Sequence, residues 1–309
     1  AAIRAKPSDV FVSADFDENS YLVNGEEYRA LIYGDSAVSA STTLKSLADH
    51  LAEDAGDIHA ATNLADDFDK KVLRPLLLFY GDFQESEGSV DEHLAPYLRK
   101  PGSEQFMRSE GKEPEEEWKH FKYQCSLCHV SRIHGDLRPG NILIIDERPF
   151  NFKVIDYGEV KTREKGHSKV TTPLFWDISR LLGEVLLDSW KDGVSFNAER
   201  LTKFLISESA VESVLYTEVF GANFFKAVLV RLFTLEHRER QLSRRTYWEE
   251  YLFTQAAFFL YFTKFSREPS IKRKRALELG QEFRKAAVNF EEINFSYIQS
   301  LSGKRLKAI

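Results

Sequence analysis

Sulfur-bearing residues are nearly absent from this sequence, with two Cys and one Met in 309 residues. Two cysteines cannot staple a chain of this length, so the fold must rest on its core, and a reducing interior is the expected compartment. Long apolar runs are missing too. The longest, AAFFLYF at residues 256–262, is far short of the ~20 residues a bilayer-spanning helix needs. The start, AAIRAKPSDV, shows no apolar leader segment. Nor is there an excess of basic charge: 42 Lys and Arg against 48 Asp and Glu give a formal net charge of −6. That balance argues against a general nucleic-acid binder but leaves room for a local basic pocket. A cytoplasmic protein is expected, with neither a membrane nor nucleic acid as its partner.

What is present is apolar and aromatic. The chain is 43% hydrophobic and carries 24 Phe, enough to bury a substantial core. Early on, NSYLVNGEEYRALIYGD has extended runs at 21–23 and 28–33 on either side of an Asn24-Gly25 turn. From Thr43 the period changes. Leu44, Leu47 and Leu51 fall at helical spacing behind Thr42 or Thr43 as N-cap, and Leu64, Phe68, Val72 and Leu76 continue a stripe towards Tyr80. Residues 84–117, rich in charge, Gly and Pro, read as a surface insertion with a short helix at 91–98. EEEWKHFKYQCSLCHVSR reads as a helix, and four long amphipathic segments after Thr172 read as helices as well.

Between these helices lies SRIHGDLRPGNILIIDERPFNFKVIDYGEV, residues 131–160. Its two β-branched runs, 142–145 and 152–155, are joined by a short polar linker and predict a hairpin. A hairpin turns the chain back, so Asn141 and Asp156 fall at the same end, with Asp136 on the preceding loop. Such a set suits phosphoryl transfer. Two hard oxygen ligands converge on Mg²⁺, while a third carboxylate holds the acceptor hydroxyl. His134 is expected to brace the loop rather than react. Taken singly, each of these residues is more often a turn or cap residue than a ligand; the argument rests on their order and context.

His134-Gly135-Asp136-Leu137 with Asn141 resembles the kinase catalytic loop, and Asp156-Tyr157-Gly158 resembles its metal-binding Asp-Phe-Gly element. The HGD form is similar to the aminoglycoside-phosphotransferase and choline-kinase branch. GH…DISRL and TQAAFFLYFTKF resemble the kinase-like ternary-complex-associated domains. The resemblance is specific over residues 115–190. It implies a kinase-like α+β fold, with a large helical C-lobe, a catalytic hairpin and a reduced or truncated β-rich N-lobe. By the same resemblance residues 1–42 are a partial N-lobe and hinge, with Tyr33 and Asp35 at the nucleotide, and residues 43–309 are the C-lobe. It further implies ATP and Mg²⁺ as cofactors and a small-molecule or protein acceptor. Asp136 is then the base, Asn141 and Asp156 are the metal ligands, and Asp177 is a brace for the loop.

The other half of such a site is not legible. No G-x-G-x-x-G precedes the motif, and no strand lysine is evident in YRALIYGD. Nothing in the spacing selects Lys6, Lys45 or Lys70 as a substitute. A chain without an initiator Met reads as a processed or truncated product, which would place the missing elements upstream of Ala1 or in a partner. A degenerate N-lobe is the alternative, giving a pseudokinase that acts as an interaction module. Nucleotidyl transfer would use the same metal residues. Cys125 and Cys128, with His129, supply too few ligands for Zn²⁺ and are expected to be buried small residues. KRKR at 272–275 reads as the solvated face of a helix, and RRTYWEEY at 244–251 as helix packing or part of an acceptor pocket.

Overall fold

The computed structural model describes residues 14–23, 26–33, 42–46, 58–147, 150–156, 161–162, 172–190, 194–206, 219–240 and 244–289. Within them the fold is α+β, mostly helical, with small antiparallel sheets. The first two strands, β1 (Ala14–Val23) and β2 (Glu26–Tyr33), form an antiparallel hairpin, as the alternation predicts. The expected turn residues, Asn24 and Gly25, lie outside the described residues, as do Asp35 and Lys6. Thr43 does cap a helical turn, for its Oγ1 accepts the Ser46 N–H at 3.1 Å.

The stripe beginning near Leu64 forms two helices rather than one. Between α1 (Ile58–Phe68) and α2 (Arg74–Tyr80) lies a π-helical turn, Asp69–Leu73, in which the Arg74 N–H reaches back to Asp69 O. Pro75 supplies the reason. It cannot donate to the carbonyl four residues back, so a continuous α-helix is interrupted there, and the wider turn absorbs the mismatch. Leu64, Phe68, Val72 and Leu76 are nonetheless all fully buried.

Residues 84–117 are not a surface insertion. They contain most of β4 (Phe83–Ser89) and the short helices α3 (Val90–His93) and α4 (Pro101–Ser109), and α5 (Pro114–Lys119) begins within them. Leu94, Tyr97, Phe106 and Met107 enter the core, and the Tyr97 ring lies stacked on Trp176 with centroids 3.4 Å apart. These apolar residues are too few and too widely spaced among charges to set a period, which hides their role in the sequence.

The segment expected to be a helix before the motif is mainly a strand. After α5, β5 (Gln124–Val130) pairs antiparallel with β4 along its whole length. Cys, Ser and His are weak helix formers, so tertiary pairing decides the outcome here. Cys125 and Cys128 are both buried free thiols. Burial, aided by the nearby Glu249, Glu250 and Glu87 charges, pushes the Cys125 thiol up to about 12. With so little thiolate at neutral pH, Cys125 in the folded protein should resist iodoacetamide and react at an ordinary rate only after denaturation. Mass spectrometry of the alkylated peptides checks this, and rapid native labelling of Cys125 would contradict it.

The helical body is built around α6 (Trp176–Asp188), which packs against α8 (Phe220–Arg240) and α9 (Arg244–Phe262). α9 also crosses β5 and runs beside α10 (Ser270–Val288), and α7 (Ala198–Ile206), which the periodicity did not reveal, lies against α10. The apolar run at 256–262 sits in the middle of this body. Ala256, Ala257, Phe258, Phe259 and Leu260 are all fully buried, so the helix is apolar around its circumference because protein surrounds it. No helix among the described residues is long and apolar enough to cross a membrane. Gly183 lets α6 approach α9: a Cβ there would lie 2.3 Å from Phe258 Cε1.

Candidate functional site

Two short strand pairs hold the motif. β6 (Arg132–Ile133) pairs with β9 (Lys161–Thr162), and the loop 134–138 leads through a 3₁₀ turn, Pro139–Asn141, into β7 (Ile142–Glu147). β7 pairs with β8 (Phe150–Val154), as the sequence predicts, and its other edge takes β3 (Thr42–Thr43). The register sets Ile142 opposite Val154, and the Ile155 N–H donates to Asn141 O at 3.0 Å. That pairing puts Asp156 one residue beyond the bonded end of the hairpin, beside Asn141.

The structure brings together three of the residues singled out from the sequence. Asn141 Nδ2 donates to the Asp136 backbone oxygen at 2.9 Å, to Asp136 Oδ2 at 3.1 Å and, more distantly, to Asp156 Oδ2 at 3.4 Å. Fixing the amide nitrogen on these acceptors leaves Asn141 Oδ1 without a partner among the described residues. Asp156 has φ +64°, a left-handed conformation that Asp tolerates better than most residues.

Asp177, fully buried at the start of α6, sits beneath the loop. Its Oδ2 accepts the His134 N–H at 2.7 Å and the Tyr80 hydroxyl at 3.0 Å, and its Oδ1 accepts the Gly135 N–H at 2.8 Å. Burial pushes this carboxyl up, while His134 and the backbone donors pull it back. Burial also raises Tyr80 well above the usual phenol range, with the Asp177 charge adding to it. Tyr80 thus remains a donor. Gly135 has φ +84°, which a side chain would strain, and this turn presents two successive N–H groups to one carboxylate. His134 works as a bracket: its Nε2 lies 3.0 Å from Ile155 O, and its Nδ1 accepts the Asp136 N–H at 3.3 Å. These partners assign the proton to Nε2 and tie the loop to the far strand of the hairpin.

Sequence reasoning missed a second set of residues. Arg180 of α6 forms an ion pair with Asp136 Oδ1, and Arg138 Nε lies 3.4 Å from Asp136 Oδ2. Arg180 also bonds Glu184 through Nε at 3.1 Å, and Asp188 is held by Lys45 at 3.0 Å and by Lys272. Arg180, Glu184 and Asp188 recur every fourth residue, so they form one charged stripe along an otherwise buried helix. That spacing in SRLLGEVLLD was the available signal. The stripe lines a cavity of about 180 Å³ together with Arg138, Lys272 and Phe262. Lys45, once a candidate for the missing strand lysine, instead lines this cavity.

Among the described residues, no group of three or more His, Cys, Asp and Glu side chains is set to hold a metal. Asn141 Oδ1 and the Asp156 carboxylate are nevertheless hard oxygen donors at one end of one hairpin, a pair that fits Mg²⁺ when the cation's ligand brings oxygens of its own. Of the hinge candidates, Tyr33 ends β2, paired with Ala14, and Asp35 lies outside the described residues. No family model matches the chain, and no curated protein matches it.

Proposed function

We propose that the protein is a kinase-like phosphotransferase that moves the γ-phosphoryl group of ATP to an acceptor hydroxyl with Mg²⁺ bound. One observation carries this reading. Asn141 reaches both Asp136 and Asp156 through one amide nitrogen, at 3.1 and 3.4 Å from their carboxylates, while its oxygen is left over for a cation. The set joins a carboxylate for the acceptor to two oxygen ligands for the metal, and Asp177 and His134 hold its loop rigid. The kinase-like fold belongs to the same proposal, supported by the motif order and by the hairpin that carries it. A cytoplasmic location, where ATP is available, goes with it.

In this scheme Asn141 and Asp156 would hold Mg²⁺, which when bound would supply charge neutralisation for the phosphates. The chain's own residues do the positioning. Arg180 and Arg138 fix the direction of the Asp136 carboxylate, Asp136 orients the acceptor hydroxyl, and the hydroxyl proton passes to it as the oxygen bonds to phosphorus. Little covalent chemistry is asked of the protein, because a loose transition state is served mainly by placement and charge.

Thermal unfolding with ATP tests this directly. At a hundredfold excess over Kd, Mg·ATP should stabilise the folded protein by about 2.7 kcal/mol. ATP with EDTA should give less, and Asp156→Asn should lose the metal-dependent part. Absence of any shift at millimolar Mg·ATP would remove the enzyme reading and favour an interaction module. Labelled γ- and α-phosphates in the product separate phosphoryl from nucleotidyl transfer.

A further inference from the structure

The cavity beside Asp136 holds an unusual amount of buried charge. Arg180, Glu184 and Asp188 have side chains no more than 15% exposed. Replacing such a set with well-packed apolar residues is often neutral or favourable for stability, so a charged stripe on the central helix calls for a reason other than folding. Among the described residues, Glu184 and Arg138 keep unused hydrogen-bonding atoms, as does Glu268 through its Oε1. Glu184 gives one oxygen to Arg180, and its other oxygen has no partner among the described residues. Arg138 gives Nε to Asp136, and its two terminal nitrogens have none among the described residues. Glu184 and Arg138 both line one small space, and two of its lining residues, Arg138 and Arg180, reach out of it to the Asp136 carboxylate.

We infer that this cavity binds a small hydroxyl-bearing amino acid, its ammonium on Glu184, its free carboxylate on Arg138 and its hydroxyl towards Asp136. The volume of about 180 Å³ sets the size. That is less room than the ~300–1,000 Å³ of drug-sized sites, which points to a small ligand. Phe262 supplies an apolar wall against which a short methylene stem can lie. Burial pushes the Glu184 carboxyl up against the pull of Arg180 and, more weakly, of Arg138, so an ammonium there would relieve an unfavourable burial. The assignment of this molecule as acceptor rests on the phosphotransferase reading. The amino acid's hydroxyl oxygen then bonds to the γ-phosphorus of ATP, the bond from that phosphorus to the β-bridging oxygen breaks, the hydroxyl proton goes to Asp136, and ADP and an O-phospho amino acid leave.

Saturation-transfer NMR on the full chain, without nucleotide, tests the cavity by itself. The probes are serine and homoserine, ethanolamine (no carboxylate), glycolate (no amine), alanine (no hydroxyl) and N-acetylserinamide, which mimics serine inside a peptide. Serine or homoserine should bind at least about tenfold more tightly than ethanolamine, glycolate or the capped serine, since each loses a charge-assisted contact. Glu184→Gln, which keeps an oxygen for Arg180, and Arg138→Gln, at a half-exposed position, should each weaken the preferred probe about tenfold with the melting midpoint preserved. Equal binding of the capped serine, indifference to both substitutions, or no binding of either amino acid would overturn the inference. If the amino acid binds but Mg·ATP gives no stabilisation, the phosphotransferase reading fails and the cavity assignment stands; the converse result removes only the cavity assignment.

Discussion

On the proposed phosphotransferase reading, Asp136→Asn should lower phosphoryl transfer by a factor of about 10²–10⁴, the range expected for loss of a positioned general base, while the protein stays folded and keeps the Mg·ATP-dependent stabilisation of the parent. The replacement keeps shape and one oxygen. Arg180 retains Glu184 and the Gly135 carbonyl at 3.4 Å, and Asn141 retains the Asp136 backbone oxygen at 2.9 Å, so the loop keeps its main ties. What would be lost, on that reading, is the group that turns the acceptor hydroxyl and takes its proton. Turnover assayed with the acceptor identified by the binding panel, beside a thermal melt with and without Mg·ATP, separates the two effects. A variant that transfers phosphate at the parental rate would remove Asp136 from its role. A variant that melts many degrees lower would show that the Arg180 ion pair serves the fold first.

The largest effect on stability is expected at Asp177. Its carboxylate is fully buried and takes three donors at once, from Tyr80, His134 and Gly135. Asp177→Ala leaves all three without their acceptor in a fully buried position, and each orphaned donor costs about 1–3 kcal/mol. Because the three losses share one pocket they do not simply add, and a total of about 3–5 kcal/mol is expected. Asp177→Asn keeps one oxygen for a backbone donor but sets an amide N–H₂ against another, so about half of that loss should return. Denaturant unfolding of the three proteins gives the comparison, with m-values checked for constancy. Nearly equal midpoints for parent and Ala variant would mean that the loop is held by the His134–Ile155 bracket and the strand pairs instead.

Much of the site could be read from the sequence because it is local. Asn141 and Asp156 flank a hairpin whose β-branched runs and short linker fix its register, and that register alone brings them together. Asp177 was found through a resemblance, and only the structure shows its three donors. Arg180 was not found, since nothing in the order of residues says that a helix beginning about 40 positions later passes beneath the loop; Arg138, two residues from Asp136 on the loop itself, was close enough in sequence to be read and was passed over. The same limit explains β5. Its residues have no strong preference of their own, and it is a strand because β4 lies beside it. The charge-rich stretch around residues 84–117 hid its share of the core because its buried residues, Leu94, Tyr97, Phe106 and Met107 among them, follow no common period.

The π turn at Asp69–Leu73 has a consequence for how this chain can change in length. Each residue of an α-helix advances the helix by about 100°, and the wider i→i−5 turn takes up one residue more for about the same rotation. Leu64 and Phe68 therefore face the core and the Tyr80 hydroxyl meets Asp177 with the extra residue absorbed locally. The turn works as a length buffer between hydrophobic packing at one end and the loop support at the other. Deleting one residue between Asp69 and Leu73 should be tolerated far better than deleting one inside α1 or α2, which would swing one end out of phase by about 100°.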